Sequence, residues 1–324
     1  MTDAPEMATA ETQSSKSGPI VEVRVPASSG NLGAGFDCFG LALPLYLTVQ
    51  VSVDRESDQP FRMTTHGMGY GTSLPATSDN LILRAMNLAA DEERITLPPL
   101  YLEAKNEIPL SSGLGSSAAA IIAGLTICAA LGDQNMTIEQ ILRYAVQLEG
   151  HADNVAASLL GGWVVTSTIQ DGNAIALKKQ WPSDIKVIIV SPHFELETAK
   201  ARSVLAPLVS HSDAVHNVQR AALFTAAIEG HRYDLLWEAM RDRLHQEKRQ
   251  PLVPGLGEAL AIPRQPGLLG LALSGAGPSV IALAQDHFNE IDAAIIPCFE
   301  RHGIETTVWH FDADTSGRQL TKLS

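Results

Sequence analysis

Apolar and polar residues alternate over Ile20–Pro26 (IVEVRVP) and again over Leu45–Val53 (LYLTVQVSV). A period of two is that of a strand with one buried face, so both stretches are expected to be strands. A loop with three glycines, residues 27–37, joins them, which favours an antiparallel pair over a βαβ unit. Phe61–Gly71, with its glycines and threonines, reads as a loop or weak hairpin. Leu100–Asn106, Trp163–Ile169, Lys186–Ser191, Leu268–Leu273, Ser279–Ala284 and Glu305–Phe311 complete the expected strands. Helices are expected at Leu81–Ala90, behind the N-cap signal Ser78-Asp79-Asn80, and at Ala118–Leu131, which is apolar on every side and hence buried. Thr137–Ser158 reads as one long helix, opened by Thr137 and Gln140 at capping-box spacing and ended by Gly161 and Gly162. Thr198–Leu205, Asp213–Glu229, Arg232–Arg249 (stopped by Pro251 and Pro254) and Phe288–His302 follow. Strands and helices mix without strict βα alternation, which points to α+β. A boundary near residue 180 divides the chain into 20–180 and 181–324, behind a disordered tail over 1–19.

Composition narrows the partners. The chain has 324 residues, 45% hydrophobic and 18% charged, with net charge −13. That acidic balance argues against nucleic acid or an anionic membrane as partner. A bound phosphate would have to be held by backbone N–H groups, helix ends and a metal. Cys38, Cys128 and Cys298 are too widely spaced for a disulfide framework or a zinc pattern, which fits a reducing cytoplasm. The tail lacks the apolar core of a secretory signal, and the longest apolar helical run, about 14 residues, is too short to span a bilayer.

The chemistry begins at 109-PLSSGLGSSA-118. Gly113 and Gly115 permit a tight backbone and close approach of a ligand. Ser116 and Ser117 offer hydroxyls as a helix starts, where free N–H groups and the helix dipole favour an anion. No Gly-Lys pair occurs anywhere, so this is not a Walker-type P-loop. Gly113-x-Gly115-x-x-Ala118 loosely matches a dinucleotide loop. Asp133, at the acidic spacing, follows a helix instead of ending a strand, so the context fails. The protein-kinase motif set is missing as well.

Three stretches in order, 26-PASSGNLGAGFD-37, 109-PLSSGLGSSAAA-120 and 274-SGAGPS-279, resemble the GHMP small-molecule kinases. The likeness runs from about Ile20 to the C-terminal strand. It implies an α+β fold of two domains, an N-terminal S5-domain-2-like α/β sandwich and a C-terminal ferredoxin-like unit. Within that family the early loop lacks the Pro-Gly-Lys of mevalonate kinases and the Gly-Arg-x-Asn stretch of galactokinases. It has the form found in homoserine kinases, as do 149-EGHADNVAASLLGG-162 and 241-RDRLHQEKRQPLVPG-255.

That resemblance implies ATP and Mg²⁺, with L-homoserine as acceptor, in threonine biosynthesis. ATP would lie on Pro109, Leu110, Ser111, Ser112, Gly113, Leu114, Gly115, Ser116, Ser117 and Ala118, with Asn80 and Lys105 near the adenine. Taken alone, Asn80 is also a helix-cap neighbour and Lys105 a solvated strand end. Ser116 or Ser117 and Glu149 would hold the metal. Asp37 would take the ammonium of the acceptor, and Arg202 and Arg249 its carboxylate, for which a guanidinium fork is suited. Asn31 and Asp37 are equally what turn chemistry selects. His151 and Asn154, i,i+3 on one helix face, would sit near the reacting hydroxyl with Asn31, and Gly275 and Gly277 would close over the substrate. Mevalonate-type members are expected to carry an Asp base where this chain has Asn154, so transfer without a protein base is implied. Asp153, turned about 100° around the same helix, is not expected to serve. Homodimers are common in the family, but no apolar patch legible in the sequence marks an interface. The rivals are another acceptor within the family, a non-catalytic small-molecule sensor, and a dinucleotide oxidoreductase.

Overall fold

The computed structural model describes residue 18 and residues 20–68, 79–132, 136–169 and 172–323. The rest of the expected tail, residues 69–71, Ser78 and Asp133 lie outside the described residues. The first unit comprises β1 (Val21–Gly30), β2 (Phe39–Val53), β3 (Phe61–Gly67), α1 (Leu81–Glu93), β4 (Leu100–Asn106), α2 (Ser116–Leu131), α3 (Ile138–Glu149), α4 (Asp153–Leu160), β5 (Trp163–Thr168) and β6 (Ala174–Lys179). The second adds β7 (Lys186–Pro192), α5 (Thr198–Ser203), α6 (His211–Glu229), α7 (Leu236–Ala239), α8 (Gln246–Arg249), α9 (Leu256–Leu260), β8 (Leu268–Leu273), β9 (Val280–Ala284), α10 (Phe288–Glu300) and β10 (Thr306–Phe311). The last strand, β11 (Gln319–Lys322), pairs antiparallel with β1. The span 181–324 therefore contains a strand of the first sheet, and the two units are not separated by a single cut.

In the first sheet β11-β1-β2-β4-β3 form the main path, with β5 on β2 and β6 on β5. Val21, Val23 and Val25 of β1 are buried and alternate with partly exposed Glu22 and Arg24. Pro26 has no N–H for the ladder, and the register against β2 shifts between Pro26 and Ala27. The strand does not stop there, as expected, but runs on to Gly30 with every residue buried. Phe61–Gly67, expected as a loop or weak hairpin, is a strand parallel to β4, joined to it through α1. Its edge position needs little apolar content, which hid it. The same holds for β6, which the sequence pattern did not mark.

The second sheet has the order β10-β7-β9-β8, all antiparallel, with α10 between β9 and β10. This is the ferredoxin-like order. Val187 and Ile189 of β7 face the main core, while Ile188 and Val190 face a second core with Leu256, Ile291 and Phe299. Burial on both faces explains the unbroken apolar run of that strand. Among the described residues no helix is long and apolar enough to cross a membrane.

Two expected helices are broken. Thr137 caps α3 in a full capping box, but the helix stops at Gly150, which adopts φ 86°, and α4 restarts at Asp153. Arg232–Arg249 divides into a 3₁₀ turn (Tyr233–Leu235), α7 and α8. The Asp242 carboxylate accepts the N–H groups of Leu244, His245 and Gln246, so it caps a new turn instead of continuing the old one.

Helix α2 is the centre of the first unit, with Ala118, Ala119 and every residue from Ile121 to Cys128 buried. Against it α1 approaches so closely that a Cβ on Gly124 would lie 2.2 Å from the Ile82 carbonyl oxygen and 2.9 Å from the Ala85 Cβ. Backbone at that distance cannot yield to a side chain. Gly124→Val is expected to destabilise the protein by about 2 kcal/mol or more, measured as a lowered denaturation midpoint; a midpoint equal to that of the parent would show that α1 moves away freely.

Candidate active site

The segment between β4 and α2 is held open by its neighbours. Ser111, Gly113 and Gly115 take φ values of 49°, 80° and 70°. Four successive carbonyls are turned into the protein. Ser111 O accepts the Leu196 N–H (3.0 Å), Ser112 O the Ser279 N–H (3.1 Å), Gly113 O the Ser274 Oγ–H (2.8 Å) and Leu114 O the Ser28 N–H (3.0 Å). The N–H groups of Gly113, Leu114, Gly115, Ser116 and Ser117 donate to no acceptor among the described residues. Gly115 is the N-cap of α2 and brings no side chain to cap it. The result is a concave row of donors at a helix N-terminus, a site for an anion of high charge. Pro109, whose carbonyl accepts the Ser112 hydroxyl, and Ala118 frame this loop without lining either cavity beside it.

Two cavities flank the loop, and Ser111, Ser116 and Ser117 line both. The larger, ≈ 280 Å³, is walled by Leu47, Met63, Leu81, Ala104 and Leu110, an apolar slot of a kind suited to a flat ring. Asn80 stands at its edge, where its Oδ1 also accepts the Ile82 N–H as the cap of α1. Lys105 does not reach it. Ala104 and Asn106 face the cavity, so the strand period turns Lys105 to the other face, where it is 69% exposed and paired with Glu107.

The smaller cavity, ≈ 130 Å³, holds the charged groups. Ser117 donates a short hydrogen bond to Glu149 at the end of α3. The Ser116 hydroxyl makes no hydrogen bond among the described residues. Because the helix breaks at Gly150, His151 lies in the link between α3 and α4, not on one helix face with Asn154. Its Nδ1 is 2.7 Å from Asp153 Oδ1 and its Nε2 is 3.8 Å from Glu149 Oε1. Burial depresses its basicity, but the hydrogen bond and charge of Asp153, aided by Glu149, outweigh it and raise the pKa. Asp153 is the clearest residue that helix geometry alone had set aside. Its side chain is buried, its Oδ1 meets His151, and its Oδ2 accepts no hydrogen bond among the described residues. Asn154 lines the same cavity but gives its amide to Ser28, reaching O at 3.2 Å and Oγ at 3.1 Å.

On the opposite wall, Asp37 and Arg202 form a two-bond pair at 3.1 and 2.6 Å. In this state they meet each other rather than standing apart. Arg249 is different. It is only 2% exposed, yet it pairs with no carboxylate among the described residues. Burial, then the nearby Arg202 charge, push its guanidinium down to about 10, still protonated at neutral pH. Phe36 lies between the two, with each guanidinium carbon under 6 Å from the ring centre. Asn31 lines the wall, but its polar atoms are used in the loop: Nδ2 donates to Gly275 O and Oδ1 accepts the Asp37 N–H. Gly275 lines the cavity; Gly277 does not, and packs instead against Gly113 of the loop before α2, whose Cβ would lie 2.8 Å from the Gly277 nitrogen. Thr198 and Ala276 also line it, with no signal in the sequence beyond adjacency to Arg202 and Gly275.

The sequence and fold have clear relatives. The description "GHMP kinases N terminal domain" matches residues 80–162 and "GHMP kinases C terminal" residues 223–295. A homoserine kinase of Solibacter usitatus is 42% identical over 93% of this chain and 97% of its own. One from Desulfitobacterium hafniense is 38% identical over 92% and 99%. The crystal structure of homoserine kinase from Cytophaga hutchinsonii superposes with a TM-score of 0.80 at 27% identity, covering 95% of this chain and 99% of that one. With its ferredoxin-like sheet and these relatives, the chain belongs to the GHMP kinase family, among its homoserine kinases.

Proposed function

We propose that the protein transfers the γ-phosphoryl group of ATP to the side-chain hydroxyl of L-homoserine, giving O-phospho-L-homoserine and ADP for threonine biosynthesis. One observation carries the reading. A cradle of free N–H groups opens on one side to an apolar slot and on the other to a small cavity with a buried, unpaired guanidinium. The slot suits adenine, the cradle the triphosphate, and Arg249 the acceptor carboxylate. Asp37 and Asp153 supply negative charge for the ammonium in the same cavity. A mevalonate or sugar acceptor brings no ammonium to use that negative charge.

Ser117 and Glu149 are two hard oxygen ligands within reach of the cradle, and they fit Mg²⁺ better than a softer metal. Bound there, Mg²⁺ would neutralise triphosphate charge. The protein's own part is positioning. The cradle fixes the phosphates, Arg249 and the carboxylates fix the acceptor, and the hydroxyl oxygen faces the γ-phosphorus. An O–P bond forms as the bond to the β-phosphate oxygen breaks, and ADP leaves. The hydroxyl proton passes to the transferred phosphoryl group or to solvent, since an asparagine cannot accept it and a loose transition state does not require early removal. The unpartnered Oδ2 of Asp153 supports a second reading, in which that carboxylate takes the proton.

Incubation with Mg·ATP and homoserine, mevalonate or galactose tests the acceptor. ADP release and a new phosphomonoester are expected only with homoserine. Turnover restricted to mevalonate or a sugar overturns the assignment, and none with any acceptor points to a sensor. Glu149→Gln is expected to raise the Mg²⁺ concentration needed for half-maximal rate by tenfold or more; an unchanged Mg²⁺ titration would remove Glu149 from the metal site. Asn154→Ala is expected to lower kcat/KM strongly. Asp153→Asn separates the two proton routes. A kcat loss of about 10²-fold or more favours the base, and a loss below about tenfold leaves direct transfer.

A further inference from the structure

Arg249 has five N–H bonds, and the protein uses three. Nε donates to Ala201 O (3.1 Å), and Nη1 donates to Gly275 O (3.0 Å) and to His245 Nδ1 (3.2 Å). Among the described residues only Nη2 has no protein acceptor, so it is the edge offered to a ligand. His245 decides this. Its side chain is fully buried, stacked on Phe36 at 5.0 Å between ring centres, and its Nε2 lies 2.9 Å from Gly33 O. A carbonyl can only accept and a guanidinium can only donate. Both contacts hold together only for a neutral imidazole with its proton on Nε2 and its lone pair on Nδ1 facing Nη1. Burial, the largest influence on this ring, favours that neutral form. Asp242, itself tied to Asn217 and to three N–H groups, fixes the turn that carries the ring.

We infer that His245 is a positioning residue for acceptor selection: as a neutral acceptor it occupies Nη1 of Arg249 and so aims Nη2 at the carboxylate of an amino-acid substrate. The inference rests on the homoserine reading, and it makes His245 matter only for acceptors that carry a carboxylate. Without the imidazole lone pair the guanidinium can turn about its own plane and present a different edge.

The test compares L-homoserine with 3-amino-1-propanol, the same molecule without the carboxylate, in wild type, His245→Leu and His245→Asn. His245→Leu keeps the volume and removes the acceptor; His245→Asn keeps an acceptor near the Nδ1 position. For His245→Leu, KM for homoserine should rise at least tenfold, with KM for ATP and kcat within about twofold of wild type. Its kcat/KM for aminopropanol should be unchanged, and His245→Asn should recover most of the loss. Equal losses on both acceptors, or no rescue by Asn, would overturn the inference. Absence of homoserine turnover in the wild type would overturn the underlying reading instead. A measurement on the unaltered protein guards against a variant that does not fold. The ¹⁵N shifts of His245 at neutral pH should report the Nε2–H tautomer; an imidazolium or the Nδ1–H tautomer would refute the role.

Discussion

Everything at this site depends on where four carbonyl groups point. A loop rich in glycine and serine could present either carbonyls or N–H groups to a ligand, and only the second binds a phosphate. The direction is set by donors from three separate segments: Ser28 of β1, Leu196 before α5, and Ser274 and Ser279 around the turn between β8 and β9. Each takes one carbonyl of the loop and leaves the adjacent N–H groups free. The cradle is thus a property of both units, since most of its supports lie in the second while the loop lies in the first. Gly113 has to be glycine for the same reason, because the Ser274 carbonyl occupies the place of a Cβ.

The electrostatics follow from this arrangement. The chain is strongly acidic, yet it gathers two guanidiniums and a row of N–H donors around one small cavity. Arg202 is neutralised by Asp37; Arg249 is held by two carbonyls and an imidazole. Carbonyls and a neutral ring satisfy hydrogen bonds without cancelling charge. A buried cation kept in that way remains attractive to an incoming anion, whereas one already paired has to exchange partners first. Asp37 and Arg202 are in that second position, each already holding the other.

Strong periodicity and motif spacing made much of this legible in advance. Ile20–Pro26 was marked by its alternation, α2 by its unbroken apolar run, and α3 by its capping box. The three glycine loops marked the site because their order along the chain is itself specific. What escaped was the outcome of competition between local signals. Gly150 can lie inside a helix or end one, and here the left-handed conformation won, which moved His151 and Asp153 into one cluster. Asp242 can sit on a helix or start one, and it started one, which brought His245 onto Arg249. Lys105 was misplaced because its motif neighbourhood says nothing of strand parity, while its exposed place on β4 does.

The pairing of β11 with β1 closes the fold upon itself. Strand β1 lies between β2, which follows it directly, and β11, about 290 residues further on. During synthesis the first unit therefore emerges early but keeps an open edge until residues 319–322 have been made. Val21–Arg24 of β1 and Gln319–Lys322 of β11 thus lie side by side in one sheet, though about 300 residues separate them. Linking β11 to β1 and opening the chain elsewhere would preserve every strand neighbour, whereas removing β11 would bare the edge of β1 at Val21–Arg24.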